Sequence, residues 1–367
     1  MPQHSSCRCR EGSPTVLNEL PRIPLALLPT PMEEAARLSA ALGGPRIFFK
    51  RDDLTGAGLG GNKVRKLEFV IGHAIAEGAD TLVVCGGYQS NLARVAAALG
   101  NRLGLRVELV LGGIPGERRD MTGNLLLDHI YGATIHYIET DPRWDFGSAL
   151  EATMAKLQAA GRRPFLMPLG GSTPEGMAGY VLATHEMMSQ CRDAGITPSR
   201  LYVAVGSGGT YSGLLLGAMN FAAPYKIVGV SVSRAADYLR EKIPIEAANA
   251  ASALGLDKIP AGDDLHIEDQ YVGAGYGELT AGCNEAIELV ARTEGVLLDP
   301  VYSGKAMACL IDHVRRAMIK PDETVVFLHT GGWPALFAYS ASDLGFESPN
   351  PSGLQGKSPD PKVRQSP

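Results

Sequence analysis

The chain has 367 residues, 45% apolar and 20% charged, with a net charge of −5. That balance excludes a disordered or collagenous chain, and it leaves no basic excess with which to neutralise a polynucleotide. At roughly 150 residues per domain the length points to two domains.

In chain order, residues 1–15 read as a disordered polar tail without the apolar core of a secretory signal. Cys7 and Cys9 lie in it, and Cys85, Cys191, Cys283 and Cys309 sit in apolar or helical contexts that suit buried thiols. No second pair or histidine cluster completes a metal site. No run nears the ~20 apolar residues of a membrane span. These features imply a cytosolic protein.

A strand is expected over 47–50. The run Gly56 to Gly61 then satisfies G-x-G-x-x-G literally, but the residues before it, Lys50 to Thr55, are too polar for a buried strand. About 20 positions on, Glu77 falls in a helical pattern rather than at a strand end, so a dinucleotide oxidoreductase is disfavoured. The segment Gly60-Gly61-Asn62-Lys63-Val64-Arg65-Lys66 enters a helix whose apolar face is Val64, Leu67, Ile71, Ala74 and Ile75. Three cations in the first turn oppose the helix dipole. They read either as solvated surface groups or as marking a lysine of lowered pKa, ready to form a Schiff base.

A strand over 81–85 runs into Gly86 to Asn91, where hydroxyl and amide side chains open a helix in a manner suited to a carboxylate. Strands follow over 107–111 and 134–138, with a helical face from Leu125 to Ile130 between them. The strand over 201–205 leads through Gly206, Ser207, Gly208, Gly209 and Thr210 into a helix. Strand, glycine-rich turn and helix N-terminus suit either a phosphate gripped by backbone N–H groups or a plain tight turn. Strands over 227–232 and 324–328 complete the pattern, and a Pro/Ser-rich tail from Glu347 reads as disordered. Strand–helix alternation in two blocks, about 80–170 and 200–330, predicts an α/β fold. It comprises two open, mostly parallel twisted sheets flanked by helices, with the site in the cleft between domains. The expected division is a large domain from 16–65 and 180–346 and a small domain from 66–179.

One lysine, one phosphate cradle and one carboxylate cradle describe a pyridoxal phosphate enzyme acting on an amino acid. The blocks Phe49 to Gly56, Gly60 to Glu68, Gln89-Ser90-Asn91 and Asp299-Pro300-Val301-Tyr302-Ser303-Gly304-Lys305 resemble the D-cysteine desulfhydrase and 1-aminocyclopropane-1-carboxylate (ACC) deaminase family, over about residues 20–345. The resemblance implies the tryptophan-synthase-β fold type, a homodimer and bound pyridoxal 5'-phosphate. It makes Lys63 the Schiff-base lysine and the base at Cα. Asn91 would bond the cofactor's phenolic oxygen, Ser90 would hold the substrate carboxylate, and Gly206 to Thr210 would hold the phosphate. Tyr302 would lie against the pyridine ring, while Tyr276 and Leu92 would face the substrate.

Two positions separate the branches. ACC deaminases look like D-P-V-Y-E-G-K, with an acid at the pyridine nitrogen, and carry a leucine before the late Gly-Gly. Here the positions hold Ser303 and Thr330, the desulfhydrase pattern. The expected reaction is β-elimination from D-cysteine to pyruvate, ammonia and hydrogen sulfide, with L-cysteate sulfo-lyase and ACC deaminase as alternatives. A non-catalytic binder of the cofactor is a further rival. Tyr88, Leu92 with Ala93-Arg94, and Gly277 to Thr280 depart from the family pattern at positions expected near the substrate.

Overall fold

A computed structural model describes residues 15–113, 120–139 and 145–346. The tails expected over 1–15 and from 347 onward, with Cys7 and Cys9, lie outside these residues, Thr15 apart. The strands are β1 (Met32–Glu34), β2 (Arg46–Lys50), β3 (Thr81–Gly87), β4 (Arg106–Gly113), β5 (Thr134–Glu139), β6 (Pro164–Met167), β7 (Arg200–Val205), β8 (Lys226–Ser231), β9 (His266–Glu268) and β10 (Thr324–Leu328). They form a six-stranded sheet in the order β1-β2-β10-β7-β8-β9 and a four-stranded sheet in the order β5-β4-β3-β6. Every pairing is parallel except β1 on β2, where Met32 faces Lys50 and Glu34 faces Phe48.

Each of the seven expected strands is present, displaced by at most two residues at either end. The three that the sequence reading missed, β1, β6 and β9, are all at sheet edges. An edge strand is held by backbone bonds on one side only and needs no apolar alternation. Accordingly β1 reads Met-Glu-Glu, β6 begins with proline, and β9 has one apolar residue.

Helices cover both faces of both sheets, because parallel strands are joined by crossovers that bury them twice over. Helices Ala281–Glu294 and Ser303–Arg315 pack on one face of the large sheet through Ile287, Val290, Met307 and Leu310. Helices Pro174–Asp193 and Gly209–Asn220 pack on the other through Tyr180, Met187, Tyr211 and Leu214. Helices Asn62–Ala76 and Asn91–Arg102 cover one face of the small sheet, with Val64, Leu67, Ile71, Val95 and Leu99 fully buried. Ile75, expected on that buried face, is exposed, as is Ile130 at the end of the helix Gly123–Ile130.

Helices Asn62–Ala76 and Pro174–Asp193 cross closely because glycines let backbone meet backbone. A Cβ on Gly179 would lie 2.4 Å from the Arg65 carbonyl oxygen.

Candidate active site

The C-terminal ends of strands from both sheets converge on one cavity of about 370 Å3, within the usual range for a small-molecule site. Gly206 to Gly208 and Thr210 line it beyond β7, Gly86 and Gly87 at the end of β3 with Ser90 beyond, Pro168 to Gly170 beyond β6, and Thr330 and Gly331 beyond β10. This is where open α/β sheets bind ligands, outside the carboxyl ends of their strands.

Lys63 lines the cavity one residue into its helix. The Gly56–Gly61 segment delivers it there as a close-packed turn. Gly60 has φ +67°, and a Cβ on it would lie 2.0 Å from the Asp53 carbonyl oxygen. Asn62 fixes the helix start, its N–H donating to the Thr330 carbonyl at 2.9 Å and its side-chain NH2 to Thr210 Oγ1 at 3.0 Å. The run matching the dinucleotide pattern therefore positions a lysine. Desolvation brings the Lys63 amine down to about 8, so much of it is free of its proton as the pH passes that value. The rate of covalent pyridoxal phosphate uptake by the apoprotein should consequently climb between about pH 7 and 9 and level off above. Stopped-flow absorbance checks this, and a flat profile would contradict the placement of the amine.

The two other cations of that first turn are not solvated, which corrects one of the two sequence readings. Arg65, 2% exposed, bonds both Asp52 oxygens (2.8 and 2.9 Å) and both Glu186 oxygens (3.0 and 2.8 Å). Asp52 also accepts from Tyr180 and Thr30, and Lys50 pairs with Glu186. Burial alone would raise the Asp52 carboxyl, but the Arg65 guanidinium holds it below the usual carboxylate range.

Lys66 is 0% exposed and has no ion-pair partner among the described residues; its amine donates to the Gly170 carbonyl at 2.6 Å. Desolvation, reinforced by Lys63, holds it well below the ordinary lysine range.

That amine abuts the glycine cradle: a Cβ on Gly209 would lie 2.7 Å from Lys66 Nζ and 2.6 Å from Ser172 Oγ. Gly208, at φ +102°, turns the chain into the helix Gly209–Asn220, whose first turn gives Thr210 and Tyr211 to the cavity lining. Ser172 and Ser207 share a hydrogen bond of 2.8 Å, and Lys242 donates to the Ser207 carbonyl at 2.7 Å while pairing with Glu246. A buried amine without a counter-ion among the described residues, two hydroxyls and a helix N-terminus make a donor set that fits a phosphate. Lys66 was missed as a site residue. Its signal was the cation-rich first turn, which the sequence alone could not divide into three roles.

Ser90 caps the helix Asn91–Arg102, accepting from Ala93 N–H at 3.2 Å, and Asn91 and Leu92 line the cavity beside it. Gly86 leaves room for Ser90, since a Cβ there would lie 2.5 Å from its Oγ. Tyr276 and Tyr302 also line the cavity, hydroxyl to hydroxyl at 2.7 Å with their rings edge to face. Burial pushes the Tyr276 phenol up to about 12 and the Tyr302 phenol well above its ordinary value. A Cβ on Gly206 would sit 3.2 Å from the Tyr302 ring.

Of the predicted site residues, Gly209 and Ser303 are absent from the cavity lining, and Ser303 is turned onto Asp299 instead. Ser303 is 1% exposed. Its hydroxyl donates to Asp299 Oδ1 at 2.6 Å and accepts from Asp299 N–H at 2.8 Å. Asp299 also accepts the N–H groups of Val301, Tyr302 and Ser303, so this turn is a cap that uses the serine internally. The branch distinction at the cavity wall therefore falls to Thr330. Among the family departures, Leu92 alone is on the wall. Tyr88 packs against Tyr137, and Thr280 caps the helix Ala281–Glu294.

Comparison with known proteins agrees with this geometry. Residues 23–331 match the family model described as pyridoxal-phosphate dependent enzyme. D-cysteine desulfhydrases of Salmonella schwarzengrund (strain CVM19633) and Salmonella typhi are each 40% identical over 328 residues, covering 88% of this chain and 97% of theirs. A crystal structure of an ACC deaminase homologue superposes with a TM-score of 0.81 at 34% identity, covering 90% of this chain and 97% of that one.

Proposed function

The chain belongs to the pyridoxal-phosphate-dependent enzymes, and on that premise we propose that it is a carbon–sulfur lyase converting D-cysteine to pyruvate, ammonia and hydrogen sulfide. The observation that carries the reading is the lysine pair. Lys63 stands in the cavity with its amine brought down to about 8, and Lys66 is buried beside the glycine cradle without a counter-ion among the described residues.

Pyridoxal phosphate, when bound, supplies an electron sink for the charge left at Cα when its proton departs. Lys63 Nζ takes that proton, since an amine near 8 can occupy both protonation states close to neutral pH. Lys66 and residues Gly206 to Thr210 would hold the cofactor's phosphate, and Asn91 would bond its phenolic oxygen. Ser90, with the N–H groups opening its helix, holds the substrate carboxylate where the helix dipole favours an anion. Tyr302, on the cavity wall, would lie against the cofactor's ring. Tyr276, kept protonated by its burial, offers a proton to the departing sulfur. The electron pair at Cα forms the Cα=Cβ bond as the Cβ–S bond breaks with both its electrons on sulfur, which takes the Tyr276 proton and leaves as hydrogen sulfide, and the remaining three-carbon fragment hydrolyses to pyruvate and ammonia. The sequence features add a cytoplasmic location to the reading, and the resemblance adds a homodimer.

The test is product release by the holoenzyme from each substrate in turn: pyruvate and sulfide from D-cysteine or L-cysteine, pyruvate and sulfite from L-cysteate, and 2-oxobutyrate and ammonia from ACC. Equal release of both products from D-cysteine, at a kcat/KM at least about tenfold above the others, is expected. Release from L-cysteate or ACC with none from D-cysteine would overturn the choice of substrate.

A further inference from the structure

Behind Asn91 lies a chain of side-chain amides whose orientations are fixed by backbone groups. Gln89 donates its NH2 to the Thr122 carbonyl at 3.1 Å, so its oxygen is the atom that accepts from Asn124 N–H at 2.7 Å. Gly123 permits this approach, since a Cβ there would lie 2.5 Å from the Gln89 oxygen. Asn124, 0% exposed, donates its side-chain NH2 to the Gln89 carbonyl at 2.8 Å and to Asn91 Oδ1 at 2.9 Å. A flipped Asn124 would set its oxygen against both of those oxygens. Asn91 is therefore compelled to turn its own oxygen toward Asn124, where Arg94 Nη2 also lies at 3.5 Å. Arg94 is itself 0% exposed and bonded to the carbonyls of Gly58 and Gly60, in the loop that delivers Lys63. The Asn91 NH2, by exclusion, is left with no hydrogen-bond partner among the described residues, on a side chain that lines the cavity. Asn124 keeps this arrangement even though its own buried oxygen has no partner.

We propose that Asn124 is a positioning residue that locks the Asn91 amide with its NH2 toward the cofactor's phenolic oxygen. This rests on the reading of Asn91 given above. A donor held there stabilises the ionised phenolic oxygen, whereas a flipped amide would present an oxygen to an oxygen. Arg94 links the same lock to the Gly56–Gly61 loop, so the amide and Lys63 are set from one buried centre.

The test compares wild-type holoenzyme with Asn124→Asp, Asn124→Ala, Asn91→Ala and the double variant Asn91→Ala/Asn124→Asp. It reads the visible absorption band of the bound cofactor, cofactor Kd by spectroscopic titration, and Tm. Asn124→Asp should shift or bleach the band as Asn91→Ala does and weaken cofactor binding about tenfold. Asn124→Ala should do so less, because Arg94 still faces the Asn91 oxygen. In the double variant the Asn124 change should add nothing to the spectrum. A lowered Tm with the wild-type band in both single Asn124 variants would make Asn124 a purely structural residue and overturn the proposal. So would an additive double variant. The spectra need no substrate, so wild-type protein inert toward D-cysteine would refute the proposed reaction while leaving this inference to stand or fall on its own readout.

Discussion

Lys63→Ala is expected to lower turnover on D-cysteine by about 10⁴-fold or more, with the fold and cofactor affinity largely kept. A positioned general base contributes roughly 10²–10⁴-fold, and the same amine is the covalent anchor, so both contributions vanish together. The fold should survive because Lys63 contributes little to packing. Its amine makes one long contact, 3.4 Å to the Gly170 carbonyl, and truncation leaves Val64, Leu67 and Ile71 in place beneath it. The phosphate cradle is also intact in this variant, so the cofactor should bind without a covalent bond. Steady-state kinetics with circular dichroism and equilibrium dialysis check these together. Turnover within tenfold of wild type would remove Lys63 from the chemistry.

Lys66→Met is expected to move affinity and stability in opposite directions. Removing one member of a buried, hydrogen-bonded charge pair costs about 2–5 kcal/mol, equivalent to roughly 30- to 4000-fold in cofactor Kd. The apoprotein, in contrast, should gain stability. With no phosphate bound, Lys66 is a fully buried amine with no ion pair among the described residues, and methionine fills a similar volume without the desolvation cost. The signs follow from the lowered pKa: the unfolded chain binds the Lys66 proton more tightly than the folded apoprotein does. Apoprotein stability should thus rise with pH through the alkaline range in wild type, and this rise should shrink in the variant. Urea denaturation of both apoproteins at several pH values, beside cofactor titrations, checks the pair of effects. An apoprotein destabilised by Lys66→Met would mean that the amine is satisfied by the protein alone.

The contrast between Lys63, Arg65 and Lys66 shows where the sequence stops being informative. Cations at the positive end of a helix dipole flagged an anomaly at that turn. Helical periodicity cannot tell an amine aimed at a cavity from one buried three residues later, or from a guanidinium locked into Asp52 and Glu186. Those carboxylates are 13 and 121 residues away from Arg65. The strands of the sheet interiors were legible because burial on both faces demands β-branched runs, whereas β1, β6 and β9 at the edges carry no such demand. The glycine cradle and the helix start at Asn91 were legible because each follows an apolar strand directly.

Ser303 is engaged by the backbone turn for a physical reason. At the start of a helix, a serine can serve the backbone as readily as the site, and here Asp299 captures it. Asn124 was invisible in advance because its significance depends on where Gln89 and Asn91 point. It lies 33 residues from Asn91, and no local pattern carries that information.

The central claim is that Lys63 holds the cofactor covalently while Lys66, three residues on, holds its phosphate. Borohydride reduction of the holoenzyme followed by peptide mass spectrometry tests it most directly. The account predicts the phosphopyridoxyl group on Lys63 in wild type, and no covalent label in Lys63→Ala even when the cofactor is bound. Label on Lys66, or a labelled lysine elsewhere in the chain, would contradict it.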